Sequence, residues 1–123
     1  MTDLTLRRTG LGVEIVDGER MAALYRVAEE LPRTESPKPC FAPIYTPSGD
    51  LVTEYRPADH AWHTGLYFGW VHVNDANLWG GPWFLPERDK YEYVDHSHGI
   101  QRHDEFLELK SDADGATVRE RLT

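Results

Sequence analysis

Histidine, the side chain best suited to acid–base chemistry near neutral pH, is concentrated in one stretch of this chain. All six histidines lie between positions 60 and 103: His60, His63, His72, His96, His98 and His103. His60 and His63 are three residues apart, so their rings converge only if the backbone turns between them, and Pro57 favours such a segment. Asp59 is near enough to orient one ring or to act as a metal ligand itself. The alternative is two half-exposed histidines beside a packed Trp62.

A second cluster follows at residues 95–99, where His96 and His98 are two positions apart. On a strand, side chains at this spacing share one face, which is how a β-barrel presents a pair of metal ligands. The alternative is a polar loop that faces solvent. If the two clusters meet in the fold, the candidate catalytic residues, and the candidate ligands of a divalent metal, are His60, His63 and His98. Convergence alone would not imply a metal, because imidazoles also serve as general acids and bases.

Tryptophans in segments predicted to be irregular are the third feature that could do chemistry. Aromatic faces such as those of Trp62 and Trp79 can stack on the apolar face of a sugar ring, or they can close the end of the core. Asn77 can hydrogen-bond to ligand hydroxyls, or it can make an Asx-type turn. The candidate binding residues are therefore Asp59, Trp62, Asn77, Trp79 and His103.

Short alternating segments must position these residues, and almost nothing in the sequence is typical of a helix. The predicted strands are residues 4–8, 11–16, 21–27, 40–45, 51–56, 64–73, 101–110 and 116–122, with a hairpin turn at Asp17-Gly18. Residues 64–73 are almost continuously apolar, which is typical of a strand buried on both faces. Residues 74–90 are predicted to form a long loop. The pattern predicts an all-β fold, an antiparallel β-sandwich, with residues 1–123 as a single β domain.

Composition excludes several classes of function. The 13 Lys and Arg against 21 Asp and Glu give a formal charge of −8, which argues against nucleic acid or an anionic membrane as a partner. No apolar run approaches the roughly 18 residues of a membrane span, and no secretory signal precedes the first strand. The single cysteine, Cys40, excludes a disulfide framework and a cysteine-rich zinc site within one chain. We expect a cytoplasmic protein.

Four segments in order, residues 39–49, 59–65, 77–81 and 98–103, resemble the PmoA-like family of bacterial proteins, a domain of unknown function named after methane oxygenase. The resemblance covers the N-terminal part of the longer family domain. It implies a galactose-mutarotase-like supersandwich, an association with sugar catabolism, and a C-terminal half that completes the site. Carried over residue by residue, the family's recurrent histidines match His60, His63, His98 and His103, and its flanking positions match Asp59, Trp62, Asn77 and Trp79.

Three functions follow from these observations. The first is a carbohydrate-directed β-sandwich protein with a site lined by histidine and tryptophan. The second is a small metal-dependent barrel of the cupin type, an oxygenase or isomerase, although Glu105 follows His98 at an unusual spacing for an acidic ligand. The third is a non-enzymatic oligomeric module, because a chain that ends inside an alternating strand exposes an edge for a second copy. Under any of the three we expect a homo-oligomer.

Overall fold

Strands account for nearly all regular structure in the computed structural model, which describes residues 3–27 and 30–123. In the described part of the chain the elements are β1 (Leu4–Arg8), β2 (Gly12–Asp17), β3 (Arg20–Arg26), the 3-10 helix η1 (Arg33–Glu35), β4 (Cys40–Ile44), β5 (Trp83–Leu85), β6 (Lys90–Glu92), β7 (His103–Asp112) and β8 (Gly115–Leu122). All strand pairs are antiparallel, so the all-β prediction is confirmed. No helix within these residues is long and apolar enough to cross a membrane.

A four-stranded sheet in the order β1-β2-β3-β4 carries the core. The hairpin predicted at Asp17-Gly18 joins β2 to β3, and Gly18 takes the positive φ of 62° that such a tight turn requires. The buried apolar side chains of this part of the chain come from β2, β3 and β4: Val13, Val16, Ala23, Leu24, Cys40 and Ala42. The sheet is the scaffold from which the longer loops extend.

The hairpin formed by β7 and β8, predicted from the sequence, lies against β1. The Arg8 guanidinium sits 5.4 Å above the centre of the Phe106 ring. From β3, the Tyr25 hydroxyl donates a hydrogen bond to the carboxylate of Glu120 on β8. The hairpin therefore joins the sheet through polar groups as well as through apolar contact.

Two predicted strands are wrong. Residues 51–56 form a single bridge, between Leu51 and Tyr45. Residues 64–73 pair with the sheet only at Leu66, which exchanges two backbone hydrogen bonds with Phe41, at 2.8 and 3.0 Å, and Val73 forms a local bridge with Ala76. Far from being buried on both faces, Leu66, Phe68 and Trp70 are 61%, 66% and 58% exposed. An apolar run indicates that its side chains favour burial, but it does not indicate whether other segments of the chain pack over them.

Two further segments differ from the predictions: residues 74–90, predicted as a long loop, and the segment of His96 and His98, considered as a strand that bears metal ligands. Residues 74–90 are not wholly irregular, because β5 and the first residue of β6 lie within them. His96 lies in a turn with a positive φ of 58°, so the prediction that it shares a strand face with His98 is wrong. His98 instead makes an isolated parallel bridge with Asn77.

Candidate functional site

An open cleft of about 640 Å³ lies between the loop segments 59–63 and 77–82 and the β5–β6 hairpin, and six of the eight residues predicted from the sequence as site residues line it. Its walls are mostly aromatic or apolar, with a small polar group at one end. The lining residues are Asp59, His60, Trp62, His63, Val71, Asn77, Trp79, Gly80, Pro82, Trp83, Phe84 and Tyr91. Clefts of this size, with a few polar groups on an apolar lining, are typical of small-molecule sites.

The segment 56–63 folds into the turn that brings the two imidazoles together. The His63 amide donates to the His60 carbonyl at 2.9 Å, and the His60 amide donates to the Pro57 carbonyl at 3.0 Å. The Arg56 amide closes the loop on the His63 carbonyl, also at 2.9 Å. As a result, the centres of the His60 and His63 rings are 5.1 Å apart. This is the convergence expected for two histidines three residues apart if the backbone turns between them.

Different surroundings give the two histidines different properties. Asp59 Oδ2 lies 3.2 Å from His60 Nδ1, close enough for the carboxylate to orient that ring. The pKa of His63 is lowered below its usual 6.5, first by burial and then by the nearby charges of His60 and Lys38, with Asp59 opposing the shift. His63 is therefore neutral near pH 7, the form that accepts a hydrogen bond or acts as a general base.

Asn77 holds the loop that carries Trp79. Its side-chain oxygen accepts the backbone N–H groups of Trp79 and Gly80, at 2.8 and 2.9 Å. Its carbonyl oxygen accepts the Ser36 hydroxyl at 2.6 Å and the Gly99 amide at 2.9 Å. Asn77 is only 1% exposed, and these polar groups are all engaged inside the protein. Asn77 therefore forms a turn, one of the two roles expected from the sequence, and through it fixes the backbone that carries Trp79.

Two glycines allow the Trp62 indole to pack against the same loop. A Cβ on Gly80 would lie 2.5 Å from both the Glu35 carbonyl oxygen and Trp62 Cβ. A Cβ on Gly81 would lie 2.5 Å from Trp62 Cε2, and this residue has a φ of 72°. Neither position accommodates a side chain without displacing Trp62, so the Gly-Gly pair sets how closely the two walls approach.

The opposite wall comes from the hairpin of β5 and β6, which sequence reasoning missed. Phe84 and Tyr91 are paired across this hairpin, with ring centres 5.2 Å apart. Trp83 is anchored by its indole N–H, which donates to the Ser97 hydroxyl at 2.7 Å. The signal available was the alternation of aromatic residues on both sides of the Pro86 turn, but each strand is only three residues long.

His98 lies apart from the His60–His63 pair. Its Nε2–H donates to the Gly81 carbonyl at 2.7 Å, and its own carbonyl accepts the Arg33 guanidinium Nε–H at 2.9 Å. The ring is 4% exposed and is not part of the cleft lining. Within residues 3–27 and 30–123, no three His, Cys, Asp or Glu side chains are grouped so as to hold a metal ion. Asp59, His60 and His63 therefore line the cleft without forming such a group.

His103 is also remote from the cleft. It lies on β7, and its Nδ1 is 2.6 Å from Glu120 Oε2 on the neighbouring strand. It lines a second cavity that shares no residue with the aromatic cleft. The residues predicted as one site are therefore divided among the cleft, a buried loop contact and this second cavity.

Sequence comparison assigns the chain to a family. Residues 12–123 match a family of unknown function, DUF6807, and the chain belongs to it. The predicted membership of the PmoA-like family is therefore wrong, and nothing in the match links the chain to methane oxygenase. Neither curated proteins nor solved structures give a significant match. The galactose-mutarotase-like expectation therefore has no matching structure behind it.

Proposed function

We propose that this protein binds a small carbohydrate in the aromatic cleft. The observation that carries the proposal is the combination of exposed indole and phenyl faces with the Asp59–His60 pair and a neutral His63 at one end of one cleft. A pyranose ring has an apolar face of C–H groups and a rim of hydroxyls. Such a ligand needs both an aromatic surface and a few polar groups that accept and donate hydrogen bonds.

The geometry favours Trp79 as the stacking platform. The side chain is 39% exposed while its backbone is fixed by Asn77, so the ring is presented to a ligand without needing to be ordered first. His63 contacts the Trp79 ring edge-on, with centres 6.1 Å apart. A ring stacked on the indole would therefore bring its hydroxyls within reach of the imidazole.

Tryptophan fluorescence during titration with a panel of neutral monosaccharides and disaccharides tests this proposal. We expect saturable quenching by at least one sugar. Trp79→Ala should weaken that affinity about fivefold or more, because an aromatic stacking contact contributes on the order of 1 kcal/mol. The matched control is Trp70→Ala, which removes an exposed indole outside the cleft and should leave the affinity unchanged.

Two results would overturn the carbohydrate proposal. One is the absence of saturation by every sugar in the panel while circular dichroism shows a folded protein. The other is an equal loss of affinity in Trp70→Ala and Trp79→Ala. A further variant, His63→Ala, should reduce affinity without changing the far-ultraviolet circular dichroism spectrum, since the ring lines the cleft rather than the core.

A second candidate, self-association, is favoured by the exposed apolar run. Leu66, Phe68 and Trp70 project from a segment that pairs with the sheet at one residue only, and Val52 shares a surface depression with Leu66. Contiguous exposed apolar surface of this kind marks interaction sites more often than solvent-facing surface does. A second copy of this chain is the partner we propose.

Light scattering tests self-association. We expect a dimer or larger assembly that Phe68→Ser converts to monomer, whereas Leu107→Ser, which changes an exposed apolar residue on β7, leaves the assembly intact. A monomer at every concentration tested would reject this candidate without bearing on sugar binding.

A further inference from the structure

A second cavity, of about 420 Å³, lies between β3, the segment before β4 and the start of β7. Among the described residues, its wall contains three cationic side chains, Arg26, Lys38 and Arg102, against one carboxylate, Glu30. The whole chain has a formal charge of −8, so this concentration of cations is the reverse of the average surface. A concave site with local positive charge attracts anions even on an acidic protein.

An imidazole in this wall is held by two other residues. His103 Nδ1 lies 2.6 Å from one oxygen of Glu120, and the Tyr25 hydroxyl donates to the other oxygen. The side chains of His103 and Glu120 are 16% and 9% exposed. Because Nδ1 is engaged, the nitrogen left for a ligand is Nε2, and the carboxylate fixes the direction in which the ring faces.

The cations of the wall differ in what they can offer. The Lys38 ammonium donates to the carbonyl oxygens of Ser36 and Trp79, at 2.7 and 3.0 Å, so it contributes charge rather than a direct contact. Arg26 is held by the Ala42 carbonyl, which accepts its Nε–H at 2.6 Å. Arg102 is exposed, and in the described part of the chain no carboxylate forms an ion pair with it. Its guanidinium is the group able to reach a ligand.

We propose that this cavity binds a small carboxylate-bearing molecule, with Arg102 and His103 Nε2 as its direct contacts. The Arg102 guanidinium supplies one or two N–H donors. Nε2 of the neutral His103 ring carries a further donor hydrogen when Nδ1 accepts the hydrogen bond from the Glu120 carboxyl, and together these donors match the two oxygens of one carboxylate. A phosphate has a third anionic oxygen and a larger charge, and Glu30 in the same wall disfavours both. This site is separate from the cleft proposed for carbohydrate and shares no lining residue with it.

The chain of hydrogen bonds from Tyr25 through Glu120 to His103, here called the relay, orients the imidazole in this site. Glu120 and Tyr25 are positioning residues, since they act on the ligand only through the His103 ring. The same contacts also fasten the β7–β8 hairpin to the sheet, so loss of stability alone would not establish a binding role. The test therefore needs a reporter on the imidazole and a variant outside the relay.

The experiment is a calorimetric titration with lactate, malonate and inorganic phosphate at constant ionic strength. In parallel, nuclear magnetic resonance follows the carbon-bound proton signals of the histidine rings. The His103 signal is assigned with His103→Gln. We expect saturable binding of at least one carboxylate, with the largest ring shift at His103. Arg102→Gln should weaken that binding about fivefold or more, as expected for loss of one charge-assisted contact.

Arg119→Gln is the matched control because it removes the same charge from the same hairpin at a position outside the cavity. It should leave the affinity unchanged. The proposal is overturned if no carboxylate produces saturable heat or a His103 shift, if phosphate binds more tightly than every carboxylate, or if Arg119→Gln weakens binding as much as Arg102→Gln. None of these outcomes affects the fluorescence response to sugars.

Discussion

Glu120→Gln should change how the stability of this protein depends on pH. Burial raises the pKa of the Glu120 carboxyl from its usual 4.5 to about 7. Between these two values the folded protein holds a proton that the unfolded chain releases, so the free energy of unfolding falls as pH rises through this range and levels off above about 7. Glutamine has no proton to lose, so the variant should lack this slope.

The structure sets the size of the effect. The difference between 4.5 and about 7 corresponds to an upper limit of about 3 kcal/mol, at about 1.36 kcal/mol per pH unit. One contact opposes it, because the Tyr25 hydroxyl that donates to this group favours the ionised carboxylate. We therefore expect a change of about 1–2 kcal/mol between pH 5 and pH 8.

Urea unfolding at constant ionic strength, from pH 5 to pH 8, measures this quantity. The stability of Glu120→Gln relative to the natural protein should rise with pH, whatever its absolute value. Glu108→Gln on the neighbouring strand, where the side chain is 44% exposed, should show no such trend. Parallel curves for Glu120→Gln and the natural protein, or a relative stability that falls with pH, would refute the reasoning from burial.

Three further substitutions test how the cleft is held. Gly81→Ala should lower the free energy of unfolding by about 2–4 kcal/mol, because the new Cβ would lie 2.5 Å from an indole on a backbone with positive φ. Gly10→Ala is the control: its Cβ would meet nothing within 4 Å, so the same urea titration should show no loss of stability. Asn77→Ala leaves the backbone N–H groups of Trp79 and Gly80 without their side-chain acceptor and should cost about 2–4 kcal/mol, measured by thermal unfolding. A loss below that of an exposed surface variant would contradict its role. Arg56→Met removes the partner of a Glu35 side chain that is 9% exposed and accepts two guanidinium hydrogen bonds, at 2.7 and 2.9 Å. We expect a loss of about 3 kcal/mol in the same urea titration, and a loss no larger than that of Arg88→Met, which removes a partner of the more exposed Glu92, would argue against a buried unpaired charge.

Local sequence signals predicted the parts of the fold that depend on neighbours along the chain. Alternation of apolar residues predicted β1 to β4 and the β7–β8 hairpin, and Asp17-Gly18 predicted its turn. The spacing of His60 and His63 allowed their rings to converge if the backbone turned, and Pro57 favoured such a turn; the ring centres lie 5.1 Å apart. In each case the cause is short-ranged: side-chain direction, turn stereochemistry or the restriction that proline places on the backbone.

Signals of the same kind failed where a long-range contact decided the outcome. The run at 64–73 has the composition of a buried strand, yet its backbone pairs with β4 at Leu66 alone. β5 and β6 are too short for periodicity to reveal, and they form a wall of the cleft only because they pair with each other and are anchored through Ser97.

The amino-acid sequence by itself determined an acidic, antiparallel all-β chain with a paired-histidine turn and aromatic loops. Only the tertiary structure decided which polar groups remain available to a ligand. It directed His98 to the Gly81 carbonyl, and it joined Tyr25 to Glu120 across 95 positions to orient His103. The physical reason is that buried donors and acceptors must find partners, and those partners are set by which segments meet in space.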